Sequence, residues 1–230
     1  MSNYFFSDTH WHHKNIVKGV SEWDRNEGDQ KTRDFKTLEE HDEAIIQGIN
    51  KVVQQDDIFW HLGDWSFGGI EQIWNFRKRL ICQNINLIFG NHDQHIEKNK
   101  KLPNCRHNAN NYHLIEDGIE DIYHYGVESQ ELFNSTQYVY FGKIGQQTYF
   151  LSHYAHRVWN KSHHGVIHLY GHSHDTLDNK GQEWGRSMDV SVESSLRIYG
   201  EIRPFHEMDI IKIMNKRQPL IIDHHNSKTN

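Results

Sequence analysis

Five short apolar runs constrain this chain most, because each stops at a serine or glycine followed at once by a side chain of metal-binding type. Tyr4-Phe5-Phe6 ends at Ser7-Asp8, Ile58-Phe59-Trp60-His61-Leu62 at Gly63-Asp64, and Ile85-Asn86-Leu87-Ile88-Phe89 at Gly90-Asn91-His92-Asp93. Tyr149-Phe150-Leu151 ends at Ser152-His153, and Val166-Ile167-His168-Leu169-Tyr170 at Gly171-His172-Ser173-His174. Short runs rich in aromatic and β-branched residues read as buried strands. Helical patterns separate some of them. Thr37-Leu38-Glu39-Glu40 has the form of a capping box, with Leu38, Ile45, Ile49 and Val52 at helical spacing. Ile70, Ile73, Trp74, Arg77, Leu80 and Ile81 mark a second amphipathic helix. Strands alternating with helices predict an α/β sheet, and such sheets bind ligands beyond the carboxyl ends of their strands. Every polar motif falls there, so residues far apart in sequence are expected to converge.

The remaining segments carry weaker patterns. Tyr138–Leu151 reads as a hairpin with Gly142 and Gly145 near its turn, Met188–Val192 as a late strand, and Glu207–Lys216 as a short helix. Residues 18–36 and 98–111 read as polar loops and 223–230 as a disordered tail, leaving one domain over residues 1–222.

Composition narrows the function. The chain of 230 residues carries 20 His and a net charge of −6. An acidic chain makes a poor stable binder of nucleic acid, whose phosphates call for Lys and Arg. Cys82 and Cys105 form no Cys-x-x-Cys pair and no disulfide framework, which suits two free thiols in a reducing compartment. No apolar stretch approaches the roughly 20 residues that span a bilayer, and the sequence opens without a signal-peptide pattern. A cytoplasmic protein without a membrane partner is expected.

Two divalent ions roughly 3.5–4 Å apart need a shared ligand, and a carboxylate suits that place. Asp8, His10, Asp64, Asn91, His153, His172 and His174 all stand directly after expected strands. His156, His163, His164 and His168 compete with His153, which is preferred because it follows a strand at once. His61 and His168 alternate with apolar neighbours and read as structural. His12 and Arg157 read as solvent-facing.

The blocks Asp8-Thr9-His10, Gly63-Asp64, Gly90-Asn91-His92-Asp93, His153 and Gly171-His172-Ser173-His174 together resemble the calcineurin-like metallophosphoesterase signature, in its order and over nearly the whole chain. The resemblance implies a four-layer α/β-β/α sandwich of two mixed sheets flanked by helices. It implies one metal on Asp8, His10 and His174, a second on Asn91, His153 and His172, and Asp64 bridging both. It further implies a hydroxide between the metals that attacks phosphorus in line, His92 assisting the leaving group, and Asp93 orienting His92. Manganese is the first candidate metal, with iron, zinc, cobalt or nickel as alternatives for such N/O ligation. The stretch Ser7 to Ile16 is similar to a small bacterial and phage branch of the family, in which a histidine and an asparagine recur after the first block. That makes His13 and Asn15 candidates for substrate contact.

The expected activity is therefore a phosphodiesterase or phosphatase acting on a small-molecule or nucleotide phosphoester. A metal-dependent nuclease or nucleic-acid end-processing phosphatase is the second reading. A non-catalytic metal-bound scaffold is the third, and the completeness of the ligand set speaks against it.

Overall fold

The computed structural model describes residues 1–22, 32–102, 127–178, 184–219 and 221–222. The expected tail at 223–230, Cys105, and the inner parts of the expected loops (23–31 and 103–111) lie outside the described residues.

Among the described residues, nine strands form two mixed sheets. The first contains β1 (Asn3–Phe6), β2 (Ile58–His61), β3 (Asn84–Ile88), β4 (Ser135–Gln137) and β9 (Phe205–His206), in the order β4-β3-β2-β1-β9. Its strands run parallel except β9, which pairs antiparallel with β1. The second contains β5 (Val139–Ile144), β6 (Gln147–Ser152), β7 (Ile167–Tyr170) and β8 (Ser187–Asp189), with only the β5–β6 pair antiparallel. Helices α1 (Leu38–Val52), α2 (Ile70–Arg77), α3 (Gln94–Glu97), α4 (Val192–Tyr199) and α5 (Glu207–Met214) flank the sheets. This is the α/β arrangement of two mixed sheets that the resemblance implies.

Both sheets contribute to one apolar core. Phe5 of β1 meets Tyr149 of β6 with ring centroids 5.1 Å apart, and Phe59, Leu87, Leu151 and Leu169 are all fully buried. The strands end side by side: the Ser7 amide donates to the Val190 carbonyl (3.0 Å) and the Gly171 amide to the His153 carbonyl (2.9 Å). The carboxyl ends of β1, β2, β3, β6 and β7 thereby share one rim.

Local chemistry explains the elements and the departures from expectation. The Glu40 amide donates to Thr37 Oγ1 (3.2 Å), capping α1, but the Glu40 carboxylate reaches the Lys36 amide (2.9 Å), one residue before the cap. Helix α2 stops at Arg77, short of Ile81, because Asn50 of α1 takes the next turn: it donates to the Arg79 carbonyl and accepts from the Ile81 amide. The late strand stops at Asp189, not Val192, because Ser191 caps α4 by accepting from the Ser194 amide (3.3 Å). In the hairpin the turn belongs to Gly145 (φ 55°), while Gly142 sits within β5 opposite Tyr149. The two described ends of the expected loop at 18–36 come together, since the Arg33 amide donates to the Ile16 carbonyl and the Lys18 amide to the Arg33 carbonyl.

Candidate metal centre

The rim gathers two ligand groups. In Asp8, His10 and His174, and again in Asp64, His153 and His172, candidate ligand atoms all lie within 4.8 Å of one another. Asn91 joins the second group, with Oδ1 3.0 Å from His153 Nε2. Asp64 connects the two: its Oδ2 is 3.3 Å from His10 Nε2 and 3.6 Å from His153 Nε2. Metal–ligand bonds of about 2.0–2.2 Å in tetrahedral arrangement set neighbouring donors roughly 3.4 Å apart, so these spacings fit donors around a cation.

The backbone is bent to achieve this. Asp8 (φ 54°), His10 (φ 46°), Asp64 (φ 57°), His172 (φ 64°) and His174 (φ 44°) all occupy the left-handed region. Such residues cost roughly 1–3 kcal/mol each and persist where surrounding contacts fix them. Those contacts are present. The His172 amide donates to both Asp8 carboxylate oxygens at 3.0 Å, and the His92 amide donates to Asp64 Oδ1 at 3.0 Å. Close approach also excludes side chains at two glycines: a Cβ on Gly90 would stand 2.3 Å from Asp64 Oδ1, and one on Gly171 2.4 Å from Asp8 Oδ2.

The electrostatics favour a cation. Asp8, Asp64, His10 and His153 are buried. Burial pushes the Asp8 carboxyl upward and the His10 imidazole down to about 3. Burial also works to raise Asp64, but its contacts with His10, His153 and the His92 amide outweigh it and hold that carboxyl low. At His174 burial opposes protonation, yet Glu193 beside it raises the group to about 9. His153 Nδ1 lies 2.8 Å from the Leu62 carbonyl and so carries its proton there. Its Nε2 faces the Asn91 and Asp64 oxygens, on the side of the second ligand group.

Second-layer residues hold the ligands, and most lie outside the sequence motifs. Glu193 Oε1 stands 3.0 Å from His174 Nδ1. Buried Arg33 donates to the Asp8 and Thr9 carbonyls, to His41 and to Glu193. Asp189 accepts from Ser173 and from the Asp175 amide, pinning the loop that carries His172 and His174. A lone arginine in a charged stretch and a glutamate near an expected strand gave no sequence pattern to find.

Asp93 differs from the role the resemblance implies. Its carboxylate accepts from the backbone amides of Gly90 (2.8 Å), Asp64 (2.9 Å) and Trp65 (2.9 Å). It is buried beneath the loop, whereas His92 is exposed, with its ring 4.5 Å from that of Phe67. Asp93 thus ties the strand ends together, and its oxygens are committed to those amides.

A cavity of about 570 Å³ opens on the ligands, with His92, His13, Phe67 and Leu196 among its walls. His13 lies flat against Phe67, ring centroids 3.6 Å apart. Asn15 is half-buried in a turn at Lys14–Ile16 and does not line the cavity. His12 is tied to Asp42 through its amide (2.8 Å) and Nδ1 (3.1 Å), against the expectation that it faces solvent. His61 and His168 are buried and bonded within the fold, to Thr9 and to the Phe150 carbonyl. Arg157 is exposed. Among the described residues, no helix is long and apolar enough to cross a membrane.

Comparison with known proteins follows the same lines. A family model described as calcineurin-like phosphoesterase matches residues 1–225. A protein of Methanocaldococcus jannaschii, itself described as uncharacterized, is 33% identical over 97 residues, covering 41% of this chain and 48% of its own. The chain thus matches about half the length of that relative. A crystal structure of an Aquifex aeolicus protein of unknown function superimposes with a TM-score of 0.55 at 19% identity, over 92% of this chain and 98% of that one. The likeness extends to the fold.

Proposed function

This chain belongs to the calcineurin-like phosphoesterase family, and on that premise we propose that it hydrolyses a small-molecule or nucleotide phosphoester with two divalent metal ions. The position of Asp64 carries the reading: one carboxylate oxygen faces His10 at 3.3 Å and His153 at 3.6 Å, one histidine from each ligand group. Asp8, His10 and His174 would hold one ion, and Asn91, His153 and His172 the other, with Asp64 shared. Manganese suits this N/O donor set, as do iron, zinc, cobalt and nickel. When bound, the ions supply positive charge against the phosphoryl oxygens and a water of lowered pKa.

The chain's own groups do the rest. His92 faces the cavity 5.6 Å from the His10 ring, within reach of a leaving oxygen that needs a proton. Asp93 keeps Asp64 in place through backbone amides. His13, stacked on Phe67 in the cavity wall, is the stronger candidate for substrate contact, since Asn15 lies outside the lining. One water is consumed: its oxygen bonds to phosphorus, the P–O bond to the alcohol breaks, and a proton ends on that alcohol.

The test is to strip the protein with a chelator, reload it with Mn²⁺, count bound metal and assay aryl phosphomonoesters and diesters. Two ions per chain with activity lost and regained is the expected result. Two ions bound with no turnover of either ester class would favour the scaffold reading instead.

A further inference from the structure

We infer that the substrate is a phosphodiester, one arm of which carries a planar ring of the nucleoside class seated in a second cleft beside Asn91. This rests on the phosphoester-hydrolase reading and extends it. Besides the main cavity, a separate cleft of about 400 Å³ runs past Phe89, Tyr138, Tyr154, Gln94 and Lys98. Asn91 lines both spaces. They also adjoin through Tyr154, whose ring lies 4.7 Å from that of His172, a wall of the main cavity.

A phosphorus held at the ligands therefore has two ways out for its substituents. A monoester has one organic group and leaves one space unfilled; a diester has two and fills both. The chemistry of the second cleft selects the arm. Tyr138 is 60% exposed and Tyr154 48% exposed, a large apolar outlay on the surface unless something flat covers it. Neither ring is loose. Tyr138 packs edge-on against Phe89 (5.2 Å) and bonds Glu97 through its hydroxyl, and Tyr154 packs edge-on against His153 (5.1 Å) and His172. Exposed aromatic rings fixed in place are platforms on which bases stack whatever their identity. The exposed Gln94, Glu97 and Lys98 add an amide, a carboxylate and an ammonium at the border, suited to the polar edge of a base.

The test uses two diesters with the same leaving group, the p-nitrophenyl ester of thymidine 5′-phosphate and methyl p-nitrophenyl phosphate, on the Mn²⁺-loaded full chain. Stacking of one base predicts a kcat/KM ratio of at least about fivefold in favour of the nucleoside ester. The ratio should fall toward one in Tyr138→Ala and Tyr154→Ala and hold in the corresponding Phe variants. Calorimetric binding of thymidine 5′-phosphate against methyl phosphate gives a readout that needs no turnover, with the same order expected. A ratio of one in both measurements overturns the cleft, and turnover of p-nitrophenyl phosphate alone overturns the diester. If no ester is turned over but thymidine 5′-phosphate binds more tightly through the two tyrosines, the cleft stands and the hydrolase reading fails.

Discussion

Oε1 of Glu193 stands 3.0 Å from His174 Nδ1 and 2.9 Å from Arg33 Nε, so a single carboxylate oxygen joins a candidate metal ligand to a buried guanidinium. Fixing the Nδ1 proton of His174 leaves Nε2 to face the centre. Loss of such an outer partner typically lowers metal affinity about 10–100-fold. Glu193→Ala should therefore weaken one of two Mn²⁺ ions by that factor, and Glu193→Gln by less, since an amide oxygen still accepts from Nδ1. Titration against a chromophoric chelator reads both ions, and unchanged affinity for both would remove Glu193 from the site.

Arg33 is tested through stability. Its guanidinium is buried against the Asp8 and Thr9 carbonyls, His41 and Glu193. Arg33→Met keeps length but takes the donor from the Asp8 and Thr9 carbonyls and from His41, and leaves Glu193 Oε1 to His174 alone. Breaking a buried ionic contact by removing one partner costs about 3–5 kcal/mol. Urea unfolding of the metal-free protein should show a loss of that order. A loss below about 1 kcal/mol, as for an exposed ion pair, would mean that water replaces the guanidinium.

These two residues mark the boundary of what the sequence makes legible. The seven ligand candidates could be read because each follows an apolar run, and a run that ends in Gly-Asp, Gly-Asn or Gly-His has few other uses. The same pattern located β1, β2, β3, β6 and β7. Arg33 and Glu193 are 160 positions apart and meet only in the folded chain, so neither had a local pattern. Helix α4 was hidden for a related reason. Val190 and Val192 suit a strand, and only the Ser191 hydroxyl, accepting from the Ser194 amide, turns that stretch into a helix start. Asp93 could be found by its motif, but its bonds to three amides follow from how closely β2 and β3 end.

His92 and Asp93 should separate by experiment. His92 has its amide on Asp64 and its ring in the cavity. His92→Ala should fold normally and bind two ions, yet lose about 10²–10⁴-fold in kcat. The loss should be larger for alkyl leaving groups than for p-nitrophenyl, whose oxyanion needs little help. Equal loss across leaving groups would argue for a part in binding phosphate rather than in proton transfer.

Asp93→Asn should instead damage the scaffold. The carboxylate accepts from the Gly90, Asp64 and Trp65 amides, and a carboxamide would turn an NH₂ group toward at least one of them. An unsatisfied buried partner costs about 1–3 kcal/mol. Lower unfolding stability together with weaker metal binding is the expected pair of results. A fall in kcat with both left intact would restore the role of orienting His92.

Gly171→Ala tests how tightly the two sheets close on the centre. The added methyl would stand 2.4 Å from Asp8 Oδ2 and 2.6 Å from Ser7 Oγ. Asp8 has little room to retreat, because Arg33 holds its carbonyl and the His172 amide holds its carboxylate. The strand end carrying His172 and His174 must therefore move away from β1, pulling ligands from both groups at once. Overpacking of this kind costs about 1–3 kcal/mol, and metal analysis should show less than two ions per chain. Full occupancy with unchanged stability would mean that the β7 end slides along β1 without disturbing Asp8, and that the fit between the sheets is looser than these distances require.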